Sequence, residues 1–167
     1  MAEIIKTFKE NIPAMRFIGK KYEDIGHWEE WWQNGWFDLL ENAMGGVDKI
    51  LGLWENGGGY VGVKRRTKTG EFSYYIGMFT PENTPVPDGF MYIDFPNLSL
   101  GTCWIYGKES EVHDTSACKQ KLIENGMRIW QDEKGAEWSF ENCLCPRYTT
   151  PDNKGNIILD YCYFVIK

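Results

Sequence analysis

The chain has 167 residues, enough for one domain with a substantial core and too few for two comfortable ones. With 43% hydrophobic and 25% charged residues it reads as globular rather than disordered, and no apolar run approaches membrane-spanning length. A net charge of −6, with "KRRTK" (Lys64 to Lys68) as the basic run, argues against a nucleic-acid-binding face.

The opening "MAEIIKTFKENIP" is charged and does not read as a signal peptide. "AMRFIGKKYE" (Ala14 to Glu23) alternates and predicts a strand. In "IGHWEEWWQNGWFDLLENAMGG", Trp28, Trp31 and Trp32 and then Trp36, Leu39 and Leu40 recur at helical spacing. Gly35 is placed to divide that helix, and Gly45-Gly46 to end it. The tryptophan stripe reads as core packing against a sheet. "VDKILGLWENGGG" is a short helix or a loop. "YVGVKRR" and "FSYYIGMF" form a hairpin across "TKTGE". A connection with Pro81, Pro85 and Pro87 follows, and "MYIDFP" adds a short edge strand.

"GTCWIYGKE" is again a strand. "SACKQKLIENGMRIWQDEKG" predicts one helix from Ser116 to Gly135, with Leu122, Ile123, Met127 and Trp130 on one face. "EWSFENCLCPRY" and "NIILDYCYFVIK" close the chain as a hairpin. The order of elements repeats, and so do letters: "FIGKK" with "IYGKE", "WWQNGW" with "LIENGM", "SYYIGM" with "DYCYFV". The pattern predicts an α+β fold of duplicated β-α-β-β units, about 13–80 and 100–167, joined by a linker of about 81–99 in a single domain.

Eight Trp, nine Tyr and nine Phe exceed ordinary core needs, which points to a ring-lined cleft or to an aromatic-rich core. Glu141 interrupts the closing strand. Alternation puts it on a face with Ser139, Cys143, Cys145 and Arg147, away from Trp138, Phe140 and Leu144, which are expected to pack under a helix. Taken alone it is a solvated strand glutamate. The five cysteines show no framework or zinc spacing and read as reduced thiols in the cytoplasm; no cofactor or metal is expected. His113, beside Asp114, reads as a loop residue near a helix cap.

The residues "MRFIGKKYED", "YVGV" with "YYIGMF", "VPDGFMYIDFP" followed by "GTCWIYG", and "WSFENCLCPRY … ILDYCYFVIK" resemble the GyrI-like family. This is the small-molecule-binding domain also found as the effector-binding part of AraC-type and MerR-type regulators. The resemblance implies pseudo-twofold symmetry, a curved antiparallel sheet with helices on its outer face, and a central ligand cleft. It implies that Glu141, after Phe140, is a cleft carboxylate for flat, hydrophobic, cationic xenobiotics. Trp104, Tyr75, Tyr148, Tyr60 and Tyr106 are the ring candidates around it. A stand-alone subfamily resembles hydrolases of cyclopropane-bearing DNA alkylators, which would make Glu141 a catalytic general base. A partner role toward DNA gyrase is a third reading. No helix-turn-helix precedes Met15, so direct nucleic-acid binding is not expected.

Overall fold

The computed structural model describes residues 1–46, 48, 52–57 and 59–167. The elements in chain order are β1 (Glu3–Asn11), β2 (Met15–Tyr22), α1 (Trp28–Gln33), α2 (Trp36–Ala43), β3 (Tyr60–Arg66), β4 (Phe72–Pro81), β5 (Met91–Phe95), β6 (Ser99–Gly107), α3 (Glu109–Val112), α4 (Cys118–Glu124), β7 (Glu137–Asn142) and β8 (Ile157–Val165). Contacts divide the chain into two compact units. One is Ile12–Leu98; the other combines Met1–Asn11 with Ser99–Lys167. Each is α+β, with helices on one face of four antiparallel strands.

In the 12–98 unit the strand order is β3-β4-β2-β5. Strand pairing aligns Ile18 with Met78 and Lys20 with Ile76, so these side chains share a face. On that face Ile18, Tyr74, Ile76 and Met78 pack against Trp31, Phe37 and Leu40 of the helices. Burying each large apolar side chain contributes about 1.5–3 kcal/mol. Gly35 does divide the helical stretch: its left-handed φ of 63° is available to glycine at little cost, and it caps α2. Trp31 is buried while Trp32 and Leu39 are exposed, since short helices bury only a narrow stripe. The buried Trp31 and the half-buried Trp28 both keep partners: Trp31 Nε1 donates to the Tyr22 hydroxyl at 3.1 Å and Trp28 Nε1 to the Tyr74 hydroxyl at 3.0 Å. The expected helix or loop over 47–59 lies partly outside the described residues.

The opposite face of this sheet is aromatic. Phe17 meets Tyr75 and Phe79 edge-on at 6.5 and 5.5 Å, and Phe79 meets Phe95 and Trp54 at 5.9 Å each. Gly19 makes room for the backbone: a side chain there would lie 2.1 Å from the Ile76 carbonyl oxygen and 2.9 Å from the Phe17 ring.

In the unit containing 99–167 the order is β1-β6-β8-β7. Its helix-bearing face carries Cys103, Ile105, Leu159 and Tyr161 under Val112, Cys118 and Leu122. The long helix expected over 116–135 is corrected to a helix that ends at Glu124. Asn125 caps it, and Gly126 follows with a φ of 85°. Residues beyond it turn back, with Ile129 bridging Val165 and Gln131 bridging Glu137. Ile123 is exposed rather than on the packing face. Pairing with β8 outweighed the helical period in this stretch because it satisfies backbone groups that a frayed helix end would leave open. β1, the charged opening of the chain, is an edge strand on β6.

The two units share one plan, strand–helix–helix–strand–strand. β1 is an edge strand of the unit containing 99–167, and β5 is an edge strand of the 12–98 unit.

Tyr60, expected as a ligand ring, stacks on Phe37 at 3.9 Å and donates to the Glu41 carboxylate. Burial and then Glu41 push its phenol up to about 12. The unfolded chain would lose that proton near pH 10 while the folded chain still holds it. Stability should therefore decline as pH rises from about 10 to 12. Denaturant melts of Tyr60→Phe should show a shallower decline over this interval; an unchanged slope would remove Tyr60 from the alkaline transition.

Candidate functional site

The register of β7 on β8 decides which face each candidate occupies. Glu141 lies opposite Tyr161 and Phe140 opposite Cys162. Tyr161 belongs to the helix-bearing core of its unit, so Glu141 is on the helix side. This corrects the expectation that Trp138 and Phe140 pack under a helix and leave Glu141 facing away from it. The strand also stops at Asn142, and Leu144 to Tyr148 form a turn, closed by a bond from the Tyr148 amide to the Leu144 carbonyl.

Glu141 has a side chain 27% exposed and meets His113, which caps the C-terminus of α3. His113 Nδ1 is 3.3 Å from Glu141 Oε1, and its Nε2 is 3.2 Å from the Tyr148 hydroxyl. His113, predicted as a loop residue, lies between Glu141 and Tyr148. No spacing signal joins positions 113, 141 and 148. Burial, and then the neighbouring Cys143, Glu109 and Glu141, push the Tyr148 phenol up to about 12, which keeps it protonated. His113 also borders a groove of about 850 Å³, shared with Ile105, Asp114, Ser116 and Lys121.

The reverse face of the same sheet carries the other rings. Trp104 lies opposite Asp160, and Trp104 Nε1 donates to Asp160 Oδ2 at 3.2 Å. Asp160 is only 1% exposed. Arg147 holds it in a fork, Nε to Oδ1 and Nη2 to Oδ2, both at 2.7 Å. The Arg147 guanidinium is also 4.9 Å from the Trp104 ring centre. Arg147, which alternation places on the same face as Glu141, neutralises Asp160 instead. At the sheet edge Trp104 meets Phe8 at 6.0 Å and 87°, and the exposed Lys6 ammonium sits 4.5 Å from Trp104 and 5.1 Å from Phe8. Tyr106 shares this face and donates to Asp152 at 2.5 Å.

Tyr75 is buried on the helix-free face of the 12–98 unit beside Phe17. Trp54 is 8% exposed on that face, and among the described residues its Nε1 is the buried side-chain polar atom without a hydrogen-bond partner. No group of three or more potential metal ligands occurs among the described residues. Cys103, Cys118 and Cys162 are buried thiols, and no helix among the described residues is long and apolar enough to cross a membrane.

No family model matches the sequence, and no curated protein matches it. Solved structures do share its fold. SAV2435 bound to tetraphenylphosphonium aligns with a TM-score of 0.59 at 14% identity, over 96% of this chain and 94% of that one. A candidate transcription regulation protein from Staphylococcus aureus MU50 aligns with a TM-score of 0.56 at 13% identity, over 97% and 99% of the two chains. A hydrolase from Listeria innocua aligns with a TM-score of 0.50 at 10% identity, over 96% and 91%. At these identities the likeness concerns the fold.

Proposed function

We propose that the protein binds flat, hydrophobic, cation-bearing small molecules, in the manner of a GyrI-like effector-binding domain. The observation that carries this reading is the seat formed by Trp104 and Phe8, two perpendicular rings that already hold a cation, the Lys6 ammonium. Lys6 is exposed and tethered to an edge strand, so an onium group of a ligand can take its place. Each ring in contact with a cation contributes roughly 0.5–2 kcal/mol, and stacking area adds to it. The fold shared with SAV2435, whose structure holds tetraphenylphosphonium, supports the choice of ligand class. Sensing or sequestering xenobiotics is the role that fits.

The test is a calorimetric titration with tetraphenylphosphonium. Wild type should bind saturably, and Lys6→Ala should bind about 5-fold tighter because the internal competitor is gone. Weaker or unchanged binding in Lys6→Ala would sink the idea that Lys6 stands in for the ligand.

A second reading has its own support. Glu141, His113 and Tyr148 form a carboxylate–imidazole–phenol row, an arrangement suited to moving a proton. It favours a hydrolase of electrophilic xenobiotics such as cyclopropane-bearing DNA alkylators, with Glu141 in the acid–base machinery. Turnover of such an alkylator that disappears in Glu141→Gln would support it; equal consumption by wild type and variant would remove Glu141 from the chemistry.

A further inference from the structure

A separate ammonium seat lies within the 12–98 unit. Strand β2 carries Lys20 next to Ile18 on the helix-bearing face and opposite Ile76. Its neighbours in that row are apolar. A lysine stem can cover such a surface, but its charged head must find other company. Pairing of β2 with β5 ends at Gly19 and Met91, so Lys20 lies just past the end of β5. The turn from Pro87 to Phe90, closed by the Phe90 amide on the Pro87 carbonyl at 3.2 Å, meets it there. The Lys20 ammonium is 4.2 Å from the Trp36 ring centre and 4.7 Å from that of Phe90. It donates to the Gly89 carbonyl at 2.9 Å. The two rings stand 6.4 Å apart at 85°. Among the described residues, the head is thus held by two rings and a carbonyl, with no carboxylate in the seat.

We infer that this seat is a binding site for a small protonated alkylamine, whose ammonium takes the place of the Lys20 head. The ligand class follows from the third wall. Rings attract any cation, whereas a carbonyl oxygen holds one that brings an N–H. A quaternary onium has no N–H and would set a methyl group against the Gly89 oxygen. The seat therefore selects a primary ammonium, unlike the seat formed by Trp104 and Phe8, and it stands independently of that one. Access comes from the Gly89 side. Gly89 is exposed, and a Cβ built on it would meet no atom within 4 Å. Lys20, Trp36 and Phe90 are half-buried, and the flexible stem of Lys20 lets its head swing out to water. The net charge of −6 favours the arrival of a cation.

The test is an NMR titration of the full chain with n-butylammonium, read at the Trp36 indole N–H and the Gly89 amide. Both signals should shift saturably in wild type. Lys20→Ala should bind about 10-fold tighter, because the internal competitor is gone. Adding Trp36→Leu, which keeps an apolar side chain but removes the ring, should cost about 10-fold; Phe90→Leu reads the second wall the same way if the first variant does not fold. Butyltrimethylammonium should bind Lys20→Ala at least about 5-fold more weakly than n-butylammonium. Unchanged or weaker binding in Lys20→Ala would overturn the replacement of Lys20 by ligand. Equal affinity for the two ammonium ions would overturn the role of the Gly89 carbonyl. Wild-type shifts that never saturate would overturn the site.

Discussion

Asp160→Asn should lower folding stability by about 3 kcal/mol, read as a fall in the denaturant midpoint at constant slope. Asp160 is 1% exposed and accepts three hydrogen bonds, two from Arg147 and one from Trp104. An amide of the same shape keeps the bond from Trp104 and one from Arg147, but its NH₂ faces the guanidinium where an oxygen had accepted. The buried carboxylate charge is lost while the Arg147 charge remains, which is the costly way to break a buried pair. The double variant Asp160→Asn with Arg147→Met should recover at least 1 kcal/mol of that loss, because the clash between the amide NH₂ and the guanidinium is removed with the arginine. A drop below 0.5 kcal/mol (about the scale of an exposed pair) would mean that solvent already screens the interaction.

Trp104→Ala should weaken tetraphenylphosphonium binding about 100-fold, close to 2.7 kcal/mol. The indole is the larger wall of the Lys6 seat and makes the edge-on contact with Phe8. Its removal takes away both the quadrupole and the stacking surface. Trp104→Phe separates two contributions. It keeps a ring for the ligand but drops the Nε1 donor to Asp160, so binding should fall only about 5-fold while stability falls about 1 kcal/mol. Comparable losses of affinity in Trp104→Ala and Trp104→Phe would show that the indole acts by holding Asp160 rather than by touching the ligand. Calorimetry for affinity and urea melts for stability separate these outcomes.

The strands and the first helices were legible because their signals are local. Alternation in "MRFIGKKY" and "SYYIGMF", the turn residues around Gly70, and the left-handed Gly35 inside the tryptophan stripe need no distant partner. Two features were missed where a distant partner decides. The charged segment of β1 becomes a strand only because β6 offers an open edge, and residues 129–131 leave the helical period because β8 and β7 offer bridges. Local propensity is a weak preference that such pairing overrides.

For the site, the residue types were readable and their grouping was not. Period-2 alternation divided the closing strand into two sets, with Glu141 in one and Phe140 in the other. It carried no information on which set lies under the helices, since either assignment satisfies the same alternation. The register of β7 on β8 and of β8 on β6 settled that choice. It put Glu141 beside His113 and Tyr148, and put Trp104 with Asp160 and Arg147 on the reverse face. A duplicated α+β chain rich in rings, with a carboxylate in its last hairpin, follows from the residues alone. Which carboxylate meets which ring follows from the folded sheet, because side-chain neighbours across a sheet are set by strand pairing between residues far apart in the chain.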